Sequence, residues 1–451
     1  MGKYFGTDGY RGEANVNLTA DSAFRVGKFL GWYYGQQRKN GEHCRIVIGK
    51  DTRRSSYMFE YAIAAGITAT GADAYLLHVT TTPSVAYVAR SEDFDCGVMI
   101  SASHNPYYDN GIKVINGNGE KLGDDVIKKI EDYLDGVTPE VPLATRADIG
   151  RTIDFAAGRN RYIGYLISLA TRSFKGKKVA LDCSNGSASS VAKSVFDALG
   201  ADTHVIHNEP NGTNINQDCG SQHTENLCKT VVESHSRLGV AVDGDGDRII
   251  VCDEKGNRLN GDQIIAYLTT YFKRHNMLKN NSAVATMYSN LGLGAYLQSI
   301  GVSYHTSAVG ERYVIEKMRE FGANVGGEES GHIVLSDYTL TGDALLASIV
   351  ICLGVKESGK KMSEIFPVFE PYPTAAHNLR FASKDEVSEL MTKDEFKACL
   401  SEAEKALAGH GSVIVRKSGT EPVMRLKIED KNKELVNEIS EKILACIKKL
   451  S

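Results

Sequence analysis

The chain has 451 residues, which at about 150 residues per domain calls for roughly three domains or more rather than a single core. A net charge of −4 with both signs interspersed, and no dense Lys/Arg cluster, argues against nucleic acid or an anionic membrane surface as partner. Nine cysteines scattered without a Cys-x-x-Cys pair, no leader segment and no apolar run approaching about 18 residues disfavour a disulfide framework, a structural zinc or a membrane span, and give a cytoplasmic expectation.

From the N-terminus, Phe5-Gly6-Thr7-Asp8-Gly9-Tyr10-Arg11-Gly12 sets three glycines around a Thr, an Asp and an Arg. That composition suits either a loop whose backbone approaches a ligand, with Arg11 neutralising a phosphate, or a plain glycine turn. Thr19 caps a helical pattern through Tyr33, and Arg45 to Gly49 reads as a strand before the basic turn Lys50-Asp51-Thr52-Arg53-Arg54. A second apolar run, Val98-Met99-Ile100, ends at Ser101-Ala102-Ser103-His104-Asn105-Pro106, where the Asn-Pro pair stops the strand and leaves hydroxyls at its carboxyl end. Asp109-Asn110-Gly111-Ile112-Lys113 then brings an amine within loop reach.

The strand, loop, helix order recurs at Lys178 to Cys183 and at Ala283 to Thr286, so three topologically similar α/β units are expected. In the second unit the polar passage from Asn208 to Asn216, followed by Cys219 to His223, reads as a surface connection. The unit closes on Asp243-Gly244-Asp245-Gly246-Asp247-Arg248, between Leu238 to Val242 and Ile249 to Cys252. Carboxylates at i, i+2 and i+4 of an extended segment point the same way. Three such charges at about 4 Å repel by roughly 4 kcal/mol per pair at an effective dielectric of 20, which calls for a hard divalent cation. An octahedral Mg²⁺ would keep room for a further oxygen, which a phosphoryl group on Ser103 would supply. An EF-hand, with Glu254 at its twelfth position, fails because Arg248 stands where the sharp turn needs glycine.

In the third unit, Gly326-Gly327-Glu328-Glu329-Ser330-Gly331-His332 gathers a carboxylate, a hydroxyl and an imidazole that suit sugar hydroxyls or an amine, or a simple turn. The last segment differs: helical patterns at Lys384 to Leu407 and Lys431 to Leu450 bracket two strands, as in a smaller α+β domain. Between the strands, Arg416-Lys417-Ser418-Gly419-Thr420-Glu421-Pro422, with nearby Arg425, is either a phosphate clamp or a polar hairpin turn.

These loops, in this order, resemble the α-D-phosphohexomutase family over essentially the whole chain. Tyr4 to Gly9, Ile100 to Lys113, and Asn214-Ile215-Asn216 with Cys219-Gly220-Ser221 are most similar to its glucosamine branch, and Ala308-Val309-Gly310 leans the same way. Glu311 stands where the family usually has Asp. The resemblance implies a four-domain α/β architecture: three similar α/β domains with mixed sheets at 1–150, 151–256 and 257–368, and a C-terminal α+β domain at 369–451. It implies Ser103 as the phosphorylated serine, which with Asp243, Asp245 and Asp247 would hold one Mg²⁺. Arg11, His104, Lys113 and Arg248 would line the reacting end, with Lys113 or His104 managing the hydroxyl proton. Glu328, Ser330 and His332 would face the sugar, while Arg416, Ser418, Gly419, Thr420 and Arg425 would hold the other phosphate. The implied reaction is interconversion of glucosamine 6-phosphate and glucosamine 1-phosphate through a phosphoserine enzyme and a 1,6-bisphosphate, supplying UDP-N-acetylglucosamine and peptidoglycan synthesis. The alternative is a phosphomannomutase/phosphoglucomutase with the same machinery. No nucleic acid or membrane partner is implied, and a homodimer stays open.

Overall fold

In the computed structural model residues 2–38, 42–417 and 422–450 are described. They form two compact units, one made of the chain up to Met287 with Ser303–Pro367, the other of Tyr288–Val302 with the chain from Val368 on.

The first unit holds three mixed sheets. In the first, β1 (Phe5–Gly6), β2 (Gly9–Glu13), β3 (Arg45–Lys50), β4 (Asp73–Val79), β5 (Cys96–Ile100), β6 (Asp109–Asn116) and β7 (Thr152–Asp154) lie in the order β1-β2-β6-β5-β3-β4-β7. The second contains β8 (Lys178–Asp182), β9 (Asp202–Ile206), β10 (Leu238–Val242), β11 (Ile249–Asp253) and β12 (Arg258–Leu259), in the order β12-β11-β10-β8-β9. The third runs β14-β13-β15-β16 from β13 (Ser282–Thr286), β14 (Ser303–Ser307), β15 (Val325–Gly327) and β16 (Ile333–Leu335). Thr152–Asp154 and Arg258–Leu259 carry the first two sheets past positions 150 and 256.

Each sheet has a parallel body that gives way to antiparallel pairing at a comparable place. The pairs β5/β6, β10/β11 and β15/β16 are antiparallel, whereas β5, β10 and β15 pair in parallel with β3, β8 and β13. Every residue of β5, β10 and β11 is buried, which explains why these strands read as continuous apolar runs rather than as alternation. The serine loop, the aspartate loop and the Glu328 loop therefore all leave their sheets at this same junction.

The second unit pairs β17 (Thr374–Arg380), β18 (Ser412–Lys417) and β19 (Val423–Glu429) as an antiparallel sheet in the order β17-β19-β18. The helix Lys433–Leu450 packs against it, and the helix Leu291–Ser299 also belongs to this unit. Among the described residues no helix is long and apolar enough to cross a membrane, and the nine cysteines are free.

One buried carboxyl in the first unit sets a pH-dependent stability. Asp343 caps the apolar helix Ala344–Ser358 by accepting from Leu346 N at 2.9 Å, and it accepts from the buried Tyr162 hydroxyl at 2.9 Å. Burial pushes its carboxyl up to about 6, even though both hydrogen bonds pull the other way. Between 3.8 and about 6 the unfolded chain releases a proton that the fold retains, so this stability is present below that window and lost as pH rises through it. An Asp343→Asn protein is expected to gain Tm over wild type as pH goes from 4 to 7, with a ceiling of roughly 3 kcal/mol. A difference that stays flat across that range in paired thermal melts would contradict this.

Candidate active site

Ser103 is wholly buried and has a left-handed backbone, φ 53°, a conformation that costs an L-residue roughly 1–2 kcal/mol. Its N–H donates to Ser101 Oγ at 2.9 Å, and its carbonyl accepts from Arg53 Nη2 at 3.1 Å and Asn216 Nδ2 at 2.9 Å. Oγ donates to Asp243 Oδ2 at 2.5 Å and lies 3.2 Å from His104 Nδ1. The serine of the first sheet and the aspartate loop of the second thus meet directly across 140 residues of sequence.

The aspartate loop is the turn between β10 and β11. Asp243, Asp245 and Asp247 are buried, and one oxygen from each lies within 4.8 Å of the others. The two glycines do different work. Gly246 takes φ +73°, while a Cβ on Gly244 would sit 2.6 Å from Ser103 O and 2.9 Å from Asn216 Nδ2. Gly244→Ala is expected to push the serine loop off the carboxylates and reduce turnover by about 10²-fold, the usual cost of misplacing a reacting group by an ångström. Near-wild-type kcat in steady-state assays would refute that packing argument.

The donor set fits a hard cation. Asp245 Oδ1 and Asp247 Oδ1 are buried without a hydrogen-bond partner among the described residues. Around an octahedral ion with bonds of about 2.0–2.1 Å, neighbouring ligand oxygens lie about 2.9 Å apart, so the trio would draw together on binding one. Burial, with Asp247 and Asp245 alongside, raises the Asp243 carboxyl well above the ordinary range. Burial would also raise Asp247, but Lys113 and His332 overcome it and hold that carboxyl well below the ordinary range. Lys113 Nζ lies 2.7 Å from Asp245 Oδ2, 3.0 Å from Asp247 Oδ2 and 3.3 Å from Asp8 Oδ2. Despite the burial that opposes its charge, the three carboxylates keep Lys113 firmly protonated.

Around this centre runs a network of ion pairs. Asp8 pairs with Arg11 and, at 2.5 Å, with Lys121; Lys121 pairs with Glu311, and Glu311 Oε1 lies 2.9 Å from His332 Nε2. His332 is buried with Nδ1 3.8 Å from Asp247 Oδ1; although burial disfavours its charge, Glu311 and Asp247 push the imidazole up to about 10. Thr341 Oγ1 and Gly342 N also donate to Glu311 Oε1. His104 is the opposite case. Burial, then Arg248 and Arg11, push it down to about 3, so a neutral imidazole stands beside Ser103. Arg248 N donates to Asp243 Oδ1 at 3.1 Å. Arg11 Nε and Arg248 Nε are buried with no acceptor among the described residues, as befits donors for an anion.

The Glu328 loop joins β15 to β16 and is stitched to the aspartate loop by a bridge between Arg248 and His332 and by Ile249 N donating to Gly331 O at 2.9 Å. Glu328 Oε1 accepts from Gly310 N at 2.7 Å, and the exposed Ser330 Oγ donates to Glu328 Oε2 at 3.3 Å. Glu328 and Ser330 share one loop face, whereas the His332 ring turns inward to the ion-pair network.

In the second unit Arg416 and Arg425 face each other across β18 and β19, and the Arg416 guanidinium stacks 4.8 Å over the Tyr288 ring. Nε of both arginines is buried without an acceptor among the described residues. Ser418, Gly419 and Thr420 lie outside the described residues.

Sequence models for phosphoglucomutase/phosphomannomutase match the chain in four stretches. Alpha/beta/alpha domains I, II and III match residues 2–140, 160–256 and 260–372, and the C-terminal domain matches 377–445. The chain belongs to the phosphoglucomutase/phosphomannomutase family. Relatives in this family include the phosphoglucosamine mutase of Lachnospira eligens, 52% identical over 448 residues, and that of Bacillus subtilis, 43% identical over 448 residues; each alignment covers 99% of both chains. A family protein from Burkholderia thailandensis shares the fold with a TM-score of 0.80 at 20% identity, covering 100% of this chain and 98% of the other. An Aspergillus fumigatus N-acetylphosphoglucosamine mutase, solved with GlcNAc-6P and magnesium, gives 0.66 at 15% identity, over 99% and 96% of the two chains.

Asp8, Lys121, Arg53 and Asn216 join this site without having been given a role from sequence, and Glu311, noted there only as standing where the family usually has Asp, joins it through Lys121. Arg53 belonged to a basic turn and Asn216 to a passage read as a surface connection. The Asn214-Ile215-Asn216 triplet, which also carries part of the family resemblance, was the available signal.

Proposed function

We propose that the chain is a phosphoglucosamine mutase, interconverting glucosamine 6-phosphate and glucosamine 1-phosphate and so supplying UDP-N-acetylglucosamine and cell-wall synthesis. The observation that carries this reading is the 2.5 Å approach of Ser103 Oγ to Asp243 Oδ2 inside a buried trio of carboxylates. Its full-length relatives named phosphoglucosamine mutase support the choice of sugar.

In this reading Ser103 carries the phosphoryl group between the two half-reactions. It gives the group to one sugar oxygen, leaving a 1,6-bisphosphate, and takes back the phosphate from the other end. Asp243, Asp245 and Asp247 would hold one Mg²⁺, which neutralises the oxygens of the transferring phosphoryl group. Phosphoryl transfer needs in-line positioning and charge neutralisation more than covalent help. Lys113, Arg11 and Arg248 supply fixed positive charge there, and neutral His104 stands within reach of the serine oxygen. Glu328 and Ser330 would read the sugar, with the Glu328 carboxylate suited to an amine. Buried His332 would orient Asp247 rather than touch the sugar. Arg416 and Arg425, with Ser418, Gly419 and Thr420, would grip a phosphate. A cytoplasmic location accords with its unpaired cysteines, and a homodimer is the assembly to look for in solution.

The deciding assay is coupled turnover of glucosamine 6-phosphate beside mannose and glucose 6-phosphates. A carboxylate matched to an ammonium is worth about 1.5–3 kcal/mol, so kcat/KM for the amino sugar should lead by about tenfold or more. Equal or better rates on mannose or glucose phosphates would reassign the sugar. Release of inorganic phosphate without isomer would reassign the reaction.

A further inference from the structure

Two side chains from distant parts of the chain converge on the carbonyl side of the serine loop. Arg53 Nη2 donates to Ser103 O at 3.1 Å and Asn105 O at 2.6 Å, and Asn216 Nδ2 donates to the same two carbonyls at 2.9 and 3.1 Å. Both lone pairs of the Ser103 carbonyl are thereby occupied, while Gly244 closes the remaining side without a Cβ. Each donor is itself held. Arg53 is fully buried and paired with Asp51, and Asn216 N donates to Ser184 O at 2.9 Å. Ser184 Oγ in turn donates to Val242 O, the last residue of the strand that delivers Asp243.

We propose that Asn216 and Arg53 are positioning residues that lock the Ser103 peptide in its left-handed conformation and so fix the reach of its hydroxyl toward the carboxylates. A serine in this conformation relaxes to an ordinary one at a gain unless its neighbours forbid it, and a rotated Ser103 peptide would swing Oγ away from Asp243. Asn216 couples that restraint to β10, so the serine and the carboxylate loop keep a common frame of reference. The inference rests on Ser103 being the phosphoryl carrier.

Asn216 is the residue to test, because removing the wholly buried Arg53 would strand Asp51 and threaten the fold. Asn216→Asp keeps the shape but has no N–H to donate, and Asn216→Ala removes both. The readouts are amide hydrogen exchange of residues 102–105 without substrate, kcat and KM on glucosamine 6-phosphate, and Ser103 phosphorylation by intact mass after incubation with glucose 1,6-bisphosphate. Both variants should exchange about tenfold faster in this loop and lose about tenfold in kcat and in phosphorylation rate, with KM unchanged within about twofold. Unchanged exchange in Asn216→Ala overturns the proposal. So does an Asn216→Asp protein with wild-type exchange and kcat, because shape alone would then suffice. Should the wild type turn over no hexose phosphate, the proposed function falls while the exchange measurement still decides the restraint.

Discussion

A Ser103→Ala protein is expected to lose mutase turnover by about 10³-fold or more while keeping its fold, with the three aspartates still able to hold a divalent cation. The loss should lie in kcat, since the hydroxyl takes part in bond making rather than in sugar recognition. Removing it leaves Asp243 without the donor at 2.5 Å, but a water or the cation can satisfy that oxygen, so Tm should move little. Intact mass should show a phosphoryl adduct on wild type after incubation with a hexose 1,6-bisphosphate and none on the variant. A variant retaining more than about a tenth of wild-type turnover would remove the covalent step.

The second large effect is expected on withdrawing the cation. Three carboxylates are buried in one small cluster, and two of their oxygens have no hydrogen-bond partner among the described residues. A chelator should therefore abolish turnover, and added Mg²⁺ should restore it. Binding to the folded state alone should also raise Tm, because a ligand at about 100 times its Kd contributes about 2.7 kcal/mol. Asp245→Asn should blunt that rise, since it removes one charge from the trio. A Tm indifferent to Mg²⁺, in wild type and variant alike, would mean that Lys113 already completes the site.

The parts of the fold that were legible in sequence are those written in local pattern. The runs Val98 to Ile100 and Leu238 to Val242 announced strands buried on both faces, and the serine and aspartate loops were recognisable because their chemistry lies within a few consecutive residues. The chain Asp8, Lys121, Glu311, His332 and Asp247 was not legible, since each pair is separated in sequence and no spacing rule links them. His332 was grouped with Glu328 and Ser330 by adjacency. It lies just before β16, where the chain turns inward and buries the ring. Lys113 or His104 was expected to manage the hydroxyl proton; their charge states rest on the fold, three carboxylates holding Lys113 charged and burial, with Arg248 and Arg11, leaving His104 a neutral ring. The strand, loop, helix order at Ala283 to Thr286 was read as one α/β unit, yet the folded chain places the helix Leu291–Ser299 in the second unit.

The left-handed backbone at position 103 also narrows which hydroxyl amino acid can serve there. Threonine offers the same nucleophilic oxygen, but its β-branch makes a positive φ a genuine outlier, and its extra methyl would have to enter a site with no solvent space. The choice of the smaller alcohol is thus dictated by main-chain geometry before any reaction occurs.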